Sequence, residues 1–278
     1  KITREEVEKF AKLMGDSNTG EETVPVGMIY IYGLRICWDR QVFIDQAVRA
    51  GDKITFAKPA KIGDTITTKL SIADKKEVTK EKVVAVLEAA RHSPSGVNTQ
   101  PWQVAVVSGD TKTRLQERIE TAFRNGETPR MDFQYYPLKW SEPYKSRRFE
   151  CGILLYETLG IKRQEKERRL EQWIANYRAF EAPVALFFFM DPGLETGSFM
   201  DYGMFMQSIM LAAVEEGLAT CPQAALGEFP KIVKEILGYP SDSILLGGMA
   251  LGYEDTEALV NSYRTTRLPV ESFTCFYE

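Results

Sequence analysis

The run Ser93-Pro94-Ser95-Gly96-Val97-Asn98-Thr99-Gln100-Pro101-Trp102 gathers hydroxyls, amides and turn-forming backbone in one place. Small polar residues between prolines form a loop, and this one adds the side chains of Ser95, Asn98 and Gln100 to its own backbone N–H groups. Such a set of donors suits an anion or a polar heterocycle. The other reading open to these residues is a tight helix–strand connection. Hydrolase chemistry from His92 and Ser93 is set aside. Neighbours at a helix-to-loop transition do not readily place a base on a nucleophile, and neither has an evident acid partner.

The elements that must position the loop are legible on both sides. Thr79 caps a helix that carries Val83, Val84, Val86, Leu87 and Ala90 on one side. A strand over 103–108 follows the loop. Gly109-Asp110 is expected to turn and Thr111 to cap a helix with Leu115, Ile119 and Phe123 inward. Residues 125–143 are irregular and rich in rings, among them Phe133, Tyr135, Tyr136 and Trp140. A loop this long is either a satellite hydrophobic cluster or a lid forming one wall of an aromatic-substrate pocket. Helices are expected over 144–159 and 163–180, a buried strand over 184–190, and a long apolar helix over 199–218 that needs cover on most of its surface. Met200, Met204, Met206 and Met210 are read as core filler. Pro230 opens a helix ending at Leu237, and a strand over 243–251 is broken by Gly247-Gly248, where another backbone should approach closely.

The chain has 278 residues, 44% hydrophobic and 27% charged, with a formal net charge of -4. That balance belongs to a soluble globular protein of one large or two modest domains. It gives no reason to expect nucleic acid or an anionic membrane as partner, although a local basic patch could still hold a phosphorylated cofactor. Cys37, Cys151, Cys221 and Cys275 form no Cys-x-x-Cys pair and His92 is the single histidine, so no metal centre is expected. The runs at 186–190 and 204–213 are too short to span a bilayer, and the expected compartment is the cytoplasm.

The Ser93 loop resembles the Pro-Ser-x-x-Asn-x-Gln-Pro-Trp signature of the flavin-dependent nitroreductase family. Residues 136–144, with Arg147-Arg148-Phe149 and 156–161, are similar to its nitrobenzoate-reductase branch. The resemblance runs from about residue 78 to 278. It implies an α+β fold, a mixed sheet wrapped by helices, that binds FMN between the subunits of a homodimer. It further implies that Pro94, Ser95, Gly96, Asn98 and Gln100 line the cofactor, and that Pro222, Gln223 and Ala224 touch the flavin ring. Arg267, with Arg264 as second candidate, would hold the phosphate, for which forked arginine donors suit a dianion better than lysine does. Members also open with an Arg-Arg-Ser-x-Arg motif, whereas the matching window here reads Thr67-Thr68-Lys69-Leu70-Ser71-Ile72-Ala73 and holds no arginine.

Residues 1–77 have a weaker resemblance, through 2–18, 54–56 and 62–67, to the MaoC-like hotdog hydratases. Gly15-Asp16-Ser17-Asn18 is followed by Thr19-Gly20-Glu21-Glu22, and the first 80 residues contain no histidine. A hydratase needs a base and an acid around its water, so this reads as a hotdog-like segment without that chemistry.

The leading expectation is an FMN-dependent oxidoreductase. Hydride would pass from NADH or NADPH through the flavin to a nitroaromatic or similar planar acceptor, with no catalytic acid–base residue required. A resident dinucleotide is not expected, because no Gly-x-Gly-x-x-Gly fingerprint is present. The alternatives are a dehalogenase-like reductase of the same fold, with Glu127, Tyr135 and Lys139 as its candidate lid residues, an enoyl-CoA hydratase-like enzyme, and a flavin-free structural protein.

Overall fold

A computed structural model describes residues 76–278. The hotdog-like segment and the Thr67–Ala73 window lie outside the described residues, apart from the segment's last two positions.

Among the described residues, four strands form one sheet in the order β1-β2-β4-β3, where β1 is Gln103–Ser108, β2 Val184–Met190, β3 Ala219–Gln223 and β4 Ile244–Gly252. Every pairing among the described residues is antiparallel. Strand β2 is buried along its whole length, which explains its unbroken apolar sequence. Its side chains alternate between two cores. Ala185, Phe187 and Phe189 enter one with Leu115, Ile119, Tyr177 and Val233. Val184, Leu186, Phe188 and Met190 enter the other with Val86, Phe205 and Ile209. Helices therefore cover both faces. Helix α1 (Lys80–Ala90) and α5 (Thr196–Glu215) lie on one side, with α2 (Gly109–Arg124), α4 (Lys166–Ile174) and α6 (Pro230–Leu237) on the other. Helix α3 (Tyr144–Thr158) buries no residue. None of these helices is long and apolar enough to cross a membrane.

The Gly247-Gly248 break is a true close approach. The register slips between Phe188 and Phe189, so that Gly247 faces Phe188 while Leu245 faces Phe189. That bulge shifts the alternation of β4 and sends Leu245 and Met249 into opposite cores. A Cβ on Gly248 would stand 2.7 Å from both Leu186 O and Leu226 Cδ1, and Gly247 has a φ of +142°. The cap of α1 also matches expectation, with Thr79 Oγ1 accepting from Lys82 N–H at 3.4 Å.

Three local expectations are corrected. Gly109 and Asp110 are the first residues of α2 and not a turn before it. The helix expected over 163–180 spans only Lys166–Ile174: residues 175–178 form a turn, and Ala179, Phe180 and Glu181 all adopt positive φ, which a right-handed helix does not accommodate. The long helix begins at Thr196, three residues early, and its Met200 and Met204 face outward while Met206 and Met210 pack on the core.

The left-handed turn at Ala179–Glu181 is braced from α2. Lys112 Nζ and Gln116 Nε2 both donate to Arg178 O, at 3.2 and 2.6 Å. Burial pushes the Lys112 ammonium down from 10.5 to about 8, and Glu181 only partly opposes the shift. The unfolded chain thus binds the proton more tightly, so stability increases with pH between the two values. Relative to Lys112→Met, the wild-type protein should gain stability between pH 8 and 10, measured as urea midpoints at fixed ionic strength. A flat difference would show that the amine is not desolvated.

Candidate functional site

The Ser93 loop is held from below by α5. Ser93 Oγ donates to Ala90 O at 2.7 Å and lies 2.8 Å from Ser208 Oγ. Gly96 N–H meets both oxygens of Asp201, at 3.2 and 3.3 Å. Trp102 stacks on Phe205 with ring centroids 4.7 Å apart. Just beyond it, Gln103 N–H donates to Tyr202 Oη at 2.6 Å, and the Tyr202 hydroxyl donates to Phe189 O. Desolvation raises that phenol above its ordinary range. The loop is thus anchored at Ser93, Gly96 and Trp102, and the tip projects between the last two.

The tip is strained. Val97, Asn98 and Gln100 have φ of 46°, 60° and 48°, and a β-branched valine at positive φ is a genuine outlier. Strain of this kind costs about 1–3 kcal/mol per residue and persists only where the surroundings impose it. Val97 is 98% exposed, so its own side chain gains nothing in return.

The expectation of free backbone donors needs correction. Asn98 N–H bonds to Ser95 O and Thr99 N–H to Gly96 O, both at 3.0 Å. Gln100 N–H bonds to Ser95 Oγ at 2.9 Å and Gln100 Nε2 to Asn98 O at 3.3 Å. Among the described residues, the Ser95 and Val97 N–H groups and the side-chain amide of Asn98 remain open. With a carboxylate behind Gly96, the turn suits neutral polar groups better than an anion.

The second group of candidates ends β3. Pro222 is exposed and Gln223 buried. Gln223 Nε2 donates to Asn176 O at 3.0 Å and to Asn176 Oδ1 at 3.3 Å, leaving Gln223 Oε1 buried without a donor. Ala224 opens the short turn Ala224–Gly227. The third group is curled on itself: Arg267 Nη1 donates to Thr265 Oγ1 at 2.6 Å, and Arg264 pairs loosely with Glu254 at 3.5 Å. Among the described residues, no hydrogen bond or ion pair joins the three groups within one chain. His92 is exposed just past α1.

The aromatic loop at 125–143 is tethered, as its ring content implies. Asp132 Oδ2 pairs with the buried Lys234 ammonium at 2.8 Å and accepts Leu245 N–H at 2.9 Å. Phe133 then packs edge-on against Phe199 of α5 at 5.0 Å. Tyr135, Tyr136 and Trp140 continue the row, with the Arg148 guanidinium 5.4 Å from the Trp140 ring centroid. Burial first, with Tyr135 and Glu228 adding, holds the Tyr136 phenol above its usual value, and Arg148 opposes the shift. Below the row, Tyr177 Oη donates to Glu228 Oε2 at 2.6 Å, and burial raises that carboxyl. Glu127, Tyr135 and Lys139 lie exposed, with no bond among them to make a set.

A family model described as the nitroreductase family matches residues 72–253. The chain belongs to the nitroreductase family. The match begins ahead of residue 78. A chloronitrobenzene nitroreductase of Comamonas testosteroni is 36% identical over 197 residues, which cover 70% of this chain and 87% of that one. A 4-nitrobenzoate reductase of Pseudomonas putida is 33% identical over 200 residues, covering 72% and 87%. Among solved structures, an FMN- and NADPH-dependent nitroreductase from sphigopyxis sp. strain HMH superposes with a TM-score of 0.71 at 35% identity, covering 74% of this chain and 92% of that one. The α+β arrangement of sheet and flanking helices is therefore a nitroreductase fold.

Two features of the site were missed in the sequence. Asp201 is one, although it is the sole charged residue between Glu195 and Glu215, and that isolation in an apolar helix was the available signal. The Asp132–Lys234 tether is the other, and its partners are too far apart in sequence to be paired by inspection.

Proposed function

We propose that this chain is an FMN-dependent NAD(P)H oxidoreductase that reduces nitroaromatic or similar planar acceptors. The observation that carries the reading is the strained turn at Val97–Gln100, anchored beneath by Ser208, Asp201 and Phe205 while its tip stays open. Imposed strain with no internal return is typical of a segment shaped for a ligand. The groups present fit a flavin. Asn98 and the Val97 N–H offer neutral polar contacts, Gln223 Oε1 is a buried acceptor awaiting a donor, and an isoalloxazine ring carries an N–H. Arg264 and Arg267 supply the forked cations for the phosphate.

Bound FMN would supply the hydride chemistry, taking a hydride from NADH or NADPH and passing it to the acceptor. The chain's part is placement. Pro94, Ser95, Gly96, Asn98 and Gln100 hold one side of the cofactor, and Pro222, Gln223 and Ala224 meet the ring. The row Phe133–Tyr135–Tyr136–Trp140 holds a planar acceptor against the ring and excludes water.

The site is proposed to close between two copies of the chain. On α5, Met200, Met204, Leu211 and Val214 are 73%, 40%, 63% and 71% exposed, and with Gln207 they repeat at alternating steps of four and three residues. That is the spacing of a helix seam that packs against a copy of itself. Leu268, Val270, Phe273 and Phe276 are also exposed on the C-terminal tail. Residues 1–77 are proposed to be a separate hotdog-like segment, with 78–278 as the flavin-binding domain.

The test is anaerobic stopped-flow absorption. NADH or NADPH should bleach the bound flavin, and nitrobenzene added afterwards should restore its colour. A flavin reduced by neither nucleotide, or one that nitrobenzene leaves bleached, overturns the reading.

A further inference from the structure

The reading above uses Asp201 as an anchor and leaves its charge unexplained. Asp201 lies in the second turn of α5 and is only 8% exposed. A carboxylate carries about four lone-pair sites. Among the described residues these receive a single donor, the Gly96 N–H, shared between the two oxygens at 3.2 and 3.3 Å. Burying so poorly satisfied a charge is costly, and a neutral amide oxygen would hold one N–H as well. The position of the charge is informative. Gly96 immediately precedes the left-handed residues Val97 and Asn98, so the carboxylate grips the turn at the point where its strain begins.

We propose that Asp201 is the positioning residue of the cofactor turn: its carboxylate pins Gly96, and its fixed negative charge behind the turn lowers the reduction potential of the flavin. The first half stands on the hydrogen bond alone. The second rests on the proposed FMN reading, since a nearby negative charge disfavours any group that gains electrons.

Asp201→Asn and Asp201→Ala separate the two halves. Asn keeps an acceptor oxygen for Gly96 and removes the charge, whereas Ala removes both. Amide hydrogen exchange across residues 93–102, measured with no added flavin, should be at least about tenfold faster in Asp201→Ala, and within about threefold of wild type in Asp201→Asn. The midpoint potential of bound FMN, measured by dye equilibration, should rise in both variants. Unchanged exchange in the Ala variant overturns the positioning role, and an unchanged potential in the Asn variant overturns the electrostatic one. A wild-type protein that retains no FMN sinks the functional reading and the electrostatic half with it, while exchange still decides whether Asp201 positions the turn.

Discussion

Leu211→Glu should convert the protein to a monomer and strip it of flavin. Leu211 stands 63% exposed in the C-terminal half of the α5 stripe, between Gln207 and Val214. At a two-fold seam the substitution acts twice, placing two carboxylates in the apolar centre of one interface. Neither would have a partner, and each would be desolvated on association. The dimer dissociation constant should rise at least about 100-fold, equivalent to about 2.8 kcal/mol. With the site shared between two copies as proposed, FMN affinity should fall with it. On the isolated chain the change is at an exposed position, and urea unfolding of the monomer should be nearly unaffected. Size-exclusion chromatography with light scattering checks the first point and flavin fluorescence titration the second. A variant that stays dimeric with full flavin would place the interface elsewhere.

Asp132→Ala is the second large effect, and its target is the proposed acceptor wall. Asp132 neutralises a buried Lys234 at 2.8 Å and satisfies Leu245 N–H at 2.9 Å. Among the described residues, the Lys234 ammonium keeps one other hydrogen bond, to Ser241 O at 3.1 Å. Removing Asp132 leaves an uncompensated ammonium and an orphan amide beside the bulge of β4. Lys234 is buried and Asp132 partly exposed, so the loss is smaller than for a fully buried pair, about 2–3 kcal/mol, which for a domain of this size lowers the melting temperature by about 7 °C. Lys234→Met is the contrasting variant, since it removes the buried charge and leaves Asp132 on Leu245 N–H. Its cost should be less than half as large. In the surviving folded fraction of Asp132→Ala, the row from Phe133 to Trp140 loses its tether. KM for a planar acceptor should then rise several-fold while flavin reduction by the nucleotide is unchanged. Equal destabilisation by the two variants would show that the pair contributes only packing.

These effects were unequally legible in the sequence. The close approach at Gly247-Gly248 was readable because few other causes place paired glycines inside an apolar strand, and Gly248 indeed has no room for a Cβ. The burial of β2 on both faces followed from its unbroken apolar run. The phase of β4 did not, because the bulge that sends Leu245 and Met249 into opposite cores is marked in the sequence by nothing beyond Gly247. The helix expected through Phe180 failed for a different reason. Nothing in Ala179-Phe180-Glu181 demands positive φ, and the turn is imposed from outside by Lys112 and Gln116.

The site divides in the same way. The Ser93 loop was conspicuous by composition, but its donors were overcounted, because a turn this tight spends most of its N–H groups on itself. Sequence periodicity places Met200 and Met204 with the core methionines because it does not distinguish a face covered by the chain's own sheet from one left exposed. Pro222, Gln223, Ala224, Arg264 and Arg267 carried no signal of their own beyond the resemblance, and the unpartnered Gln223 oxygen emerged only with the structure.

FMN is proposed to bind at a site completed by two copies of this chain. Sedimentation velocity on the full protein, followed in the visible absorption band of flavin, tests it most directly. The predicted result is flavin moving with a single dimeric species at about one FMN per chain, and no flavin moving with monomer at any dilution. Flavin that travels with monomer would contradict the shared site. Flavin left at the meniscus under saturating FMN would contradict the cofactor itself.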